Sequence, residues 1–334
     1  MTAVIPSVSS RLLAGCRGFA VALTLLWGAG AGAVELSASH ANPPGEATFE
    51  GMKRFVDLLA ASPAGVRMRL FPRGQLGEEK DIIEQVRLGA ITLGAVAAAN
   101  LSAFAPSVGV LDIPFLMRDN DRHPWAVVDG VVGQRIADAI ERESGLVVLG
   151  WWSGGMRHVF TRSRPVARPS DLSELKIRVI GSPVYMDTFN GLGAKATPMP
   201  YGEVYTALAT GTVDGAENDT TGYRNMKFFE QAPELSLTGH FFLFKPVVAN
   251  RMALARLTAE QRRTFDAAFA EATRFQRTYS SSKFDSDIAW LTTEGHVRVT
   301  KPDRAALEAA VRPVQEKYAR RYGQALVDAI RNTR

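Results

Sequence analysis

Thirty-seven consecutive residues, Thr258 to Glu294, contain neither glycine nor proline. Without a residue that frees or breaks the backbone, such a stretch favours one continuous helix. At 1.5 Å per residue it would be about 55 Å long, longer than one small domain is wide. A helix of that length can brace two domains. The alternative is two helices with a break near Ser280-Ser281-Ser282. Upstream, short apolar runs alternate with segments of helical periodicity. Val34 to Ser39, Val66 to Phe71 and Ile91 to Val96 read as strands, with helices over Ala47–Ala60 and Glu78–Arg87 between them. The alternation continues to about residue 250 and predicts an α/β fold with largely parallel sheet. Leu146 to Trp152 reads as a strand connecting two halves. A chain of 334 residues has room for about two domains.

The first 33 residues have the features of an export leader. Arg11 and Arg17 precede the apolar stretch Phe19 to Trp27, and small residues end in Ala31-Gly32-Ala33. Nine apolar residues are too few to span a bilayer. Cleavage near Ala33 would place the mature protein in the periplasm and remove Cys16, the sole cysteine. Leu13-Ala14-Gly15-Cys16 matches a lipoprotein cleavage box, but it precedes the apolar stretch instead of following it. The formal charge of +5 falls to +3 without Arg11 and Arg17. No run of five basic residues occurs, which argues against nucleic acid as a partner. The chain has no Cys/His spacing suited to zinc, and neither a metal nor a cofactor is expected.

Specific motifs begin at residue 71. Phe71-Pro72-Arg73-Gly74-Gln75-Leu76-Gly77 forms a turn before a helix. Leu111-Asp112-Ile113-Pro114-Phe115-Leu116 and Gly154-Gly155-Met156-Arg157-His158 follow. Further on come Leu175-Lys176-Ile177-Arg178-Val179, Ala196-Thr197-Pro198-Met199 and Glu203-Val204-Tyr205-Thr206-Ala207-Leu208. The series ends in Gly211-Thr212-Val213-Asp214-Gly215-Ala216-Glu217-Asn218. In order and spacing these fragments resemble the solute-binding proteins of TRAP transporters, the DctP family, over about residues 34–330. The resemblance implies a two-lobe periplasmic binding protein fold with a cleft between the lobes and a long helix across both. It puts residues 34–153 and 244–280 in lobe one and 154–243 in lobe two, with 281–334 packed against both. It also implies capture of a small organic acid without chemistry, and delivery to small and large membrane permease subunits driven by an ion gradient.

Arg178 is the foremost candidate for the ligand carboxylate, the role the family gives to this arginine. A guanidinium is permanently charged, and its planar fork matches a carboxylate with two parallel hydrogen bonds. Arg157, after the Gly154-Gly155 turn, is the second candidate; its alternative role is an ion pair between lobes. Asn218 can donate and accept. Glu217 reads either as a ligand contact or as a buried partner for an arginine. His40 closes the first strand and Asn100 follows the third. Trp152 and Tyr201 could wall the site, with His240 and Tyr223 as further candidates, although aromatic residues are as often core. His123 and His296 fall outside the motifs and are expected at the surface.

Ala97 and Ala98 stand where sialic acid binders resemble one another in carrying an acid, which disfavours that ligand. Ala194 to Tyr201 is similar to the branch that binds hexuronates and other sugar acids. That branch continues with Asn and Pro after its Glu-Asn, whereas this chain has Asp219-Thr220-Thr221. A four-carbon dicarboxylate is the second ligand class. Two other readings are an exported enzyme such as a hydrolase, which the absence of a Gly-x-Ser-x-Gly elbow disfavours, and a receptor for a sensor kinase or an ATP-driven importer.

Overall fold

A computed structural model describes residues 33–118 and 122–334. The leader expected over residues 1–33, with Cys16, lies outside the described residues except for Ala33. Among the described residues nine strands form the sheet: β1 (Val34–Ser39), β2 (Val66–Phe71), β3 (Leu93–Ala95), β4 (Leu146–Thr161), β5 (Lys176–Val179), β6 (Lys195–Pro198), β7 (Gly215–Asn218), β8 (Glu234–Asn250) and β9 (Arg298–Thr300). Their order is β2-β1-β3-β8-β4-β7-β5-β6, with β9 on the side of β8. At one end β1 pairs in parallel with β2 and β3, and at the other β5 pairs in parallel with β6 and β7. Helices cover these parallel ends, giving an α/β architecture of two lobes across a cleft.

The antiparallel strands β4 and β8 join the two ends. Leu146–Ser153 pairs with Phe244–Asn250, and Met156–Thr161 pairs with the earlier half of β8. Between these stretches the register shifts at Ser153/Met156. Gly155 sits there with φ +77°, a conformation that favours glycine. A β-carbon on it would lie 2.5 Å from Cβ of Asp219. The expected strand Leu146–Trp152 is therefore the first half of a much longer one. Two glycines, which usually punctuate a strand, form a bulge within it.

The glycine-free stretch is a single helix, Ala259–Thr293. Thr258 and Gln261 form a reciprocal capping box at its start. Ser280–Ser282 lies inside the helix without a break. Phe265, Phe269 and Ala272 pack into a core with Leu36, Phe55 and Trp152, beside β1 and β3. Leu291, near the other end, packs into a core with Phe160, Leu208 and Tyr223, beside β7. One helix thus contributes to the apolar cores at both ends of the sheet. Among the described residues no helix is long and apolar enough to cross a membrane. His123 departs from expectation. It is buried, and its Nε2 lies 2.9 Å from the Ile330 carbonyl oxygen, because the C-terminal helix Gln324–Asn332 covers it.

Candidate functional site

A cavity of about 500 Å³ lies beside the β4/β8 bulge. Five of the residues expected at the site line it: Arg178, Arg157, Asn218, Tyr201 and Asn100.

Arg178 extends from β5 and is 3% exposed. Its Nε and Nη2 donate to the Met199 carbonyl oxygen at 3.0 and 2.7 Å, which fixes the plane of the guanidinium. The ring of Tyr201 is 5.9 Å from its Cζ. Among the described residues no carboxylate lies within ion-pairing distance of Arg178. Burial disfavours the cation and lowers its pKa.

Arg157 is held by its own protein. Nε donates to Glu217 Oε2 at 2.6 Å, and Nη2 to Glu217 Oε1 and the Glu217 carbonyl oxygen at 3.0 and 2.7 Å. Nη1 donates to Asn218 Oδ1 and lies 3.7 Å from Asp219 Oδ1. The Glu217 charge and its hydrogen bonds outweigh burial and raise the Arg157 pKa further. In the antiparallel pair of β4 with β7, Glu217 is opposite Val159 and Asn218 opposite His158, so both carry groups within reach of the arginine.

From Asn218 a chain of hydrogen bonds crosses the cavity. Asn218 Nδ2 donates to the Tyr201 hydroxyl at 2.9 Å, and that hydroxyl donates to Glu46 Oε1 at 2.8 Å. Asn42 Nδ2 donates to Glu46 Oε2, and Lys245 Nζ to Asn42 Oδ1 at 2.6 Å. Lys245 also pairs with Glu79 at 2.9 Å. Glu79 accepts from Asn100 Nδ2 and from the Ala97 amide, each at 2.8 Å. Asn100 follows β3, as expected, and belongs to a short helix, Ala98–Leu101. The chain links residues near β1 and β3 to residues near β5 and β7.

The other five candidates lie off the cavity lining. Trp152 is core: its ring stacks on Phe269 at 5.9 Å and its Nε1 donates to Thr273 Oγ1 at 2.9 Å. Tyr223 packs 4.6 Å from Phe160 and donates to the Ala232 carbonyl oxygen at 2.7 Å. Glu217 is the buried partner of Arg157. His40 is buried against Phe49, with Nδ1 accepting from the Asn42 amide at 3.2 Å, so it supports the loop that carries Asn42. Burial and the Lys245 charge lower its pKa to about 3. His240 is buried with Nδ1 2.7 Å from Thr238 Oγ1, and burial with the neighbouring His158 lowers its pKa strongly.

Glu46, Glu78, Glu79 and Lys245 line the cavity without having been candidates. Glu46 precedes the helix Ala47–Ala61, yet its side chain makes no cap bond to that helix. Burial and the Asp219 charge raise its pKa to about 7. Asp219, singled out as a departure from the sugar-acid branch, lines the cavity too; burial raises its pKa against the opposing pull of Arg157. The walls thus offer one buried, unpaired guanidinium and several carboxylate acceptors. Among the described residues no group of three or more His, Cys, Asp or Glu could hold a metal ion.

Residues 38–321 match the family model described as "Bacterial extracellular solute-binding protein, family 7" (DctP). The chain is 35% identical over 260 residues to the 2,3-diketo-L-gulonate-binding periplasmic protein YiaO of Escherichia coli K12, covering 78% of this chain and 79% of that one. Its fold is similar to the sugar acid binding protein DctPAm of Advenella mimigardefordensis in complex with galactonate, with a TM-score of 0.86 and 26% identity over 90% of this chain and 98% of that one. It is equally similar to a TRAP periplasmic solute binding protein from Polaromonas sp. JS666 bound to D-erythronate, with a TM-score of 0.85 and 31% identity over 90% and 99%. With the motifs, the two-lobe fold and the family model in agreement along nearly all of the described chain, this protein belongs to the DctP family of solute-binding proteins of TRAP transporters.

Proposed function

We propose that this receptor captures a polyhydroxylated monocarboxylic acid, a sugar acid, in the cavity beside the β4/β8 bulge. The observation that carries the reading is Arg178: a guanidinium buried in the cavity wall with no carboxylate of its own. Isolated buried charge is costly, and an incoming carboxylate would relieve that cost. Arg157, already bound by Glu217, contributes a directed positive field and Nη1. Glu78 and Asp219 are acceptors for hydroxyl groups. They would repel a second carboxylate, which favours a sugar acid over a four-carbon dicarboxylate. The cavity volume of about 500 Å³ lies within the range of small-molecule sites. The acids bound by the relatives, galactonate, D-erythronate and 2,3-diketo-L-gulonate, support the same class.

The lobe border is proposed at the register shift after Ser153, where β4 leaves the later half of β8 and gains β7. Closure of the lobes on the acid would need a differential affinity of about 5.5 kcal/mol to move the balance from 1:99 to 99:1. The closed receptor would deliver the acid unchanged to the small and large TRAP membrane subunits, after export directed by residues 1–33. A thermal-shift screen against sugar acids, dicarboxylates and amino acids tests the class. A ligand at 100 times its dissociation constant adds about 2.7 kcal/mol to stability. Sugar acids that stabilise the protein and return chemically unchanged support the proposal. A response to dicarboxylates alone overturns the ligand class, and chemical conversion overturns the receptor role in favour of an exported enzyme.

A further inference from the structure

The charges lining the cavity do not balance for an anionic ligand. Glu79 is paired with Lys245, and Glu217, behind the wall, with Arg157. Of the remaining charged groups in the lining, Arg178 and Lys80 stand against Glu46, Glu78, Asp81, Glu203 and Asp219, the last 3.7 Å from Arg157 Nη1. An acid bound by Arg178 would add a further negative charge beside Glu46 and Asp219, which already repel one another.

We propose that Glu46 takes up one proton from solvent when the acid binds, and that this reverses its hydrogen bond with Tyr201. In the geometry described above the Tyr201 hydroxyl donates to Glu46 Oε1 and accepts from Asn218 Nδ2. A protonated Glu46 becomes the donor to Tyr201. The tyrosine proton is then free to turn into the cavity, where an anionic or hydroxyl oxygen of the ligand can accept it. One carboxylate charge is removed and one hydrogen-bond donor is gained, both at the ligand. No covalent bond other than the new Glu46 O–H changes.

Glu46 is suited to the role by its surroundings. Asn42 and Lys245 face it from the β1 loop and β8, Tyr201 from the segment after β6, and Asp219 from the end of β7. Glu79 reaches it through Lys245, and Arg157 through Asn218. Glu78, Lys80 and Asp81 from the following helix, with Arg178 and Glu203, complete the charged lining. Tyr279 of the long helix bonds the Gly45 carbonyl oxygen, and Glu50 accepts from the Gly45 amide, so the adjoining backbone is fixed. The push of burial and Asp219 already brings Glu46 to about 7, where a further anion can tip it. The nearby histidines do not compete, because burial holds His40 and His158 neutral at this pH.

The inference rests on the acid-binding reading, and calorimetry separates the two. Galactonate and D-erythronate are titrated at pH 8 in two buffers of different ionisation enthalpy. Uptake of about 0.5–1 proton per ligand is expected, with affinity falling up to about tenfold per pH unit above pH 7. In Glu46→Gln, whose amide donates to Tyr201 without titrating, the binding that is measured, whatever its affinity, should carry neither proton uptake nor pH dependence. Binding without proton uptake overturns this inference and leaves the acid reading standing. Uptake unchanged in Glu46→Gln overturns the assignment to Glu46. If neither acid binds, nor any acid of the wider screen, the acid reading itself fails and this inference with it.

Discussion

Arg157 Nε lies 2.6 Å from Glu217 Oε2, with both side chains buried in the pairing of β4 with β7. This ion pair distinguishes two arginines that look alike in sequence. Arg157 has its carboxylate within the fold, while Arg178 is anchored through a main-chain oxygen. Glu217→Ala would leave Arg157 buried without its counter-charge, and breaking such a pair costs about 3–5 kcal/mol. Urea denaturation should register that loss. A change below about 1 kcal/mol would mean that the pair is dispensable.

Gln276 ties the long helix to the bulged strand. It is fully buried, its Oε1 accepting from the Ser153 amide at 2.9 Å and its Nε2 donating to the Ser153 carbonyl oxygen at 2.7 Å. Gln276→Ala strands two backbone groups beside the β4 bulge, with an expected loss of about 2–3 kcal/mol. Gly51 makes room for this side chain, since a β-carbon there would sit 2.6 Å from Gln276 Cγ. Gly51→Ala should also destabilise, and less so when combined with Gln276→Ala. Additive losses in a double-mutant cycle would contradict the packing argument.

His158 gives the stability a pH dependence of known sign. Burial, with Arg157 and Arg304 nearby, lowers its pKa to about 3, against 6.5 in the unfolded chain. Between these values the unfolded state binds more protons. The contribution of His158 is therefore complete above pH 6.5 and is lost as pH falls. His158→Gln, which can still accept from the Gly239 amide, removes that dependence. The stability difference between wild type and variant should shift against wild type by about 1.4 kcal/mol per unit from pH 6 to 4. A constant difference over this interval would show that His158 titrates normally.

The reach of the sequence differed for the frame and the site. The long helix was legible because its signal is local: a run without Gly or Pro. The lengths of β4 and β8 were not, because Gly154 and Gly155 read as a break and only pairing with β8 carries the strand past them. Arg178, Arg157, Asn218 and Tyr201, which line the cavity, stand in or beside motifs carried by consecutive residues. Glu46 and Lys245 were missed because they are 199 residues apart and meet only through Asn42, by the contact of β1 with β3 and β3 with β8. The aromatic candidates were the least secure, since a large ring is equally at home in a core. Trp152 and Tyr223 took that alternative.

Calorimetric titration of galactonate into Arg178→Ala and wild type, with thermal melts to establish that both are folded, tests the central claim. Removing one partner of a buried charged pair typically costs about 2–5 kcal/mol, so the variant should bind about 30-fold to several thousand-fold more weakly. Affinity within threefold of wild type in a folded variant would contradict the claim that this guanidinium holds the acid.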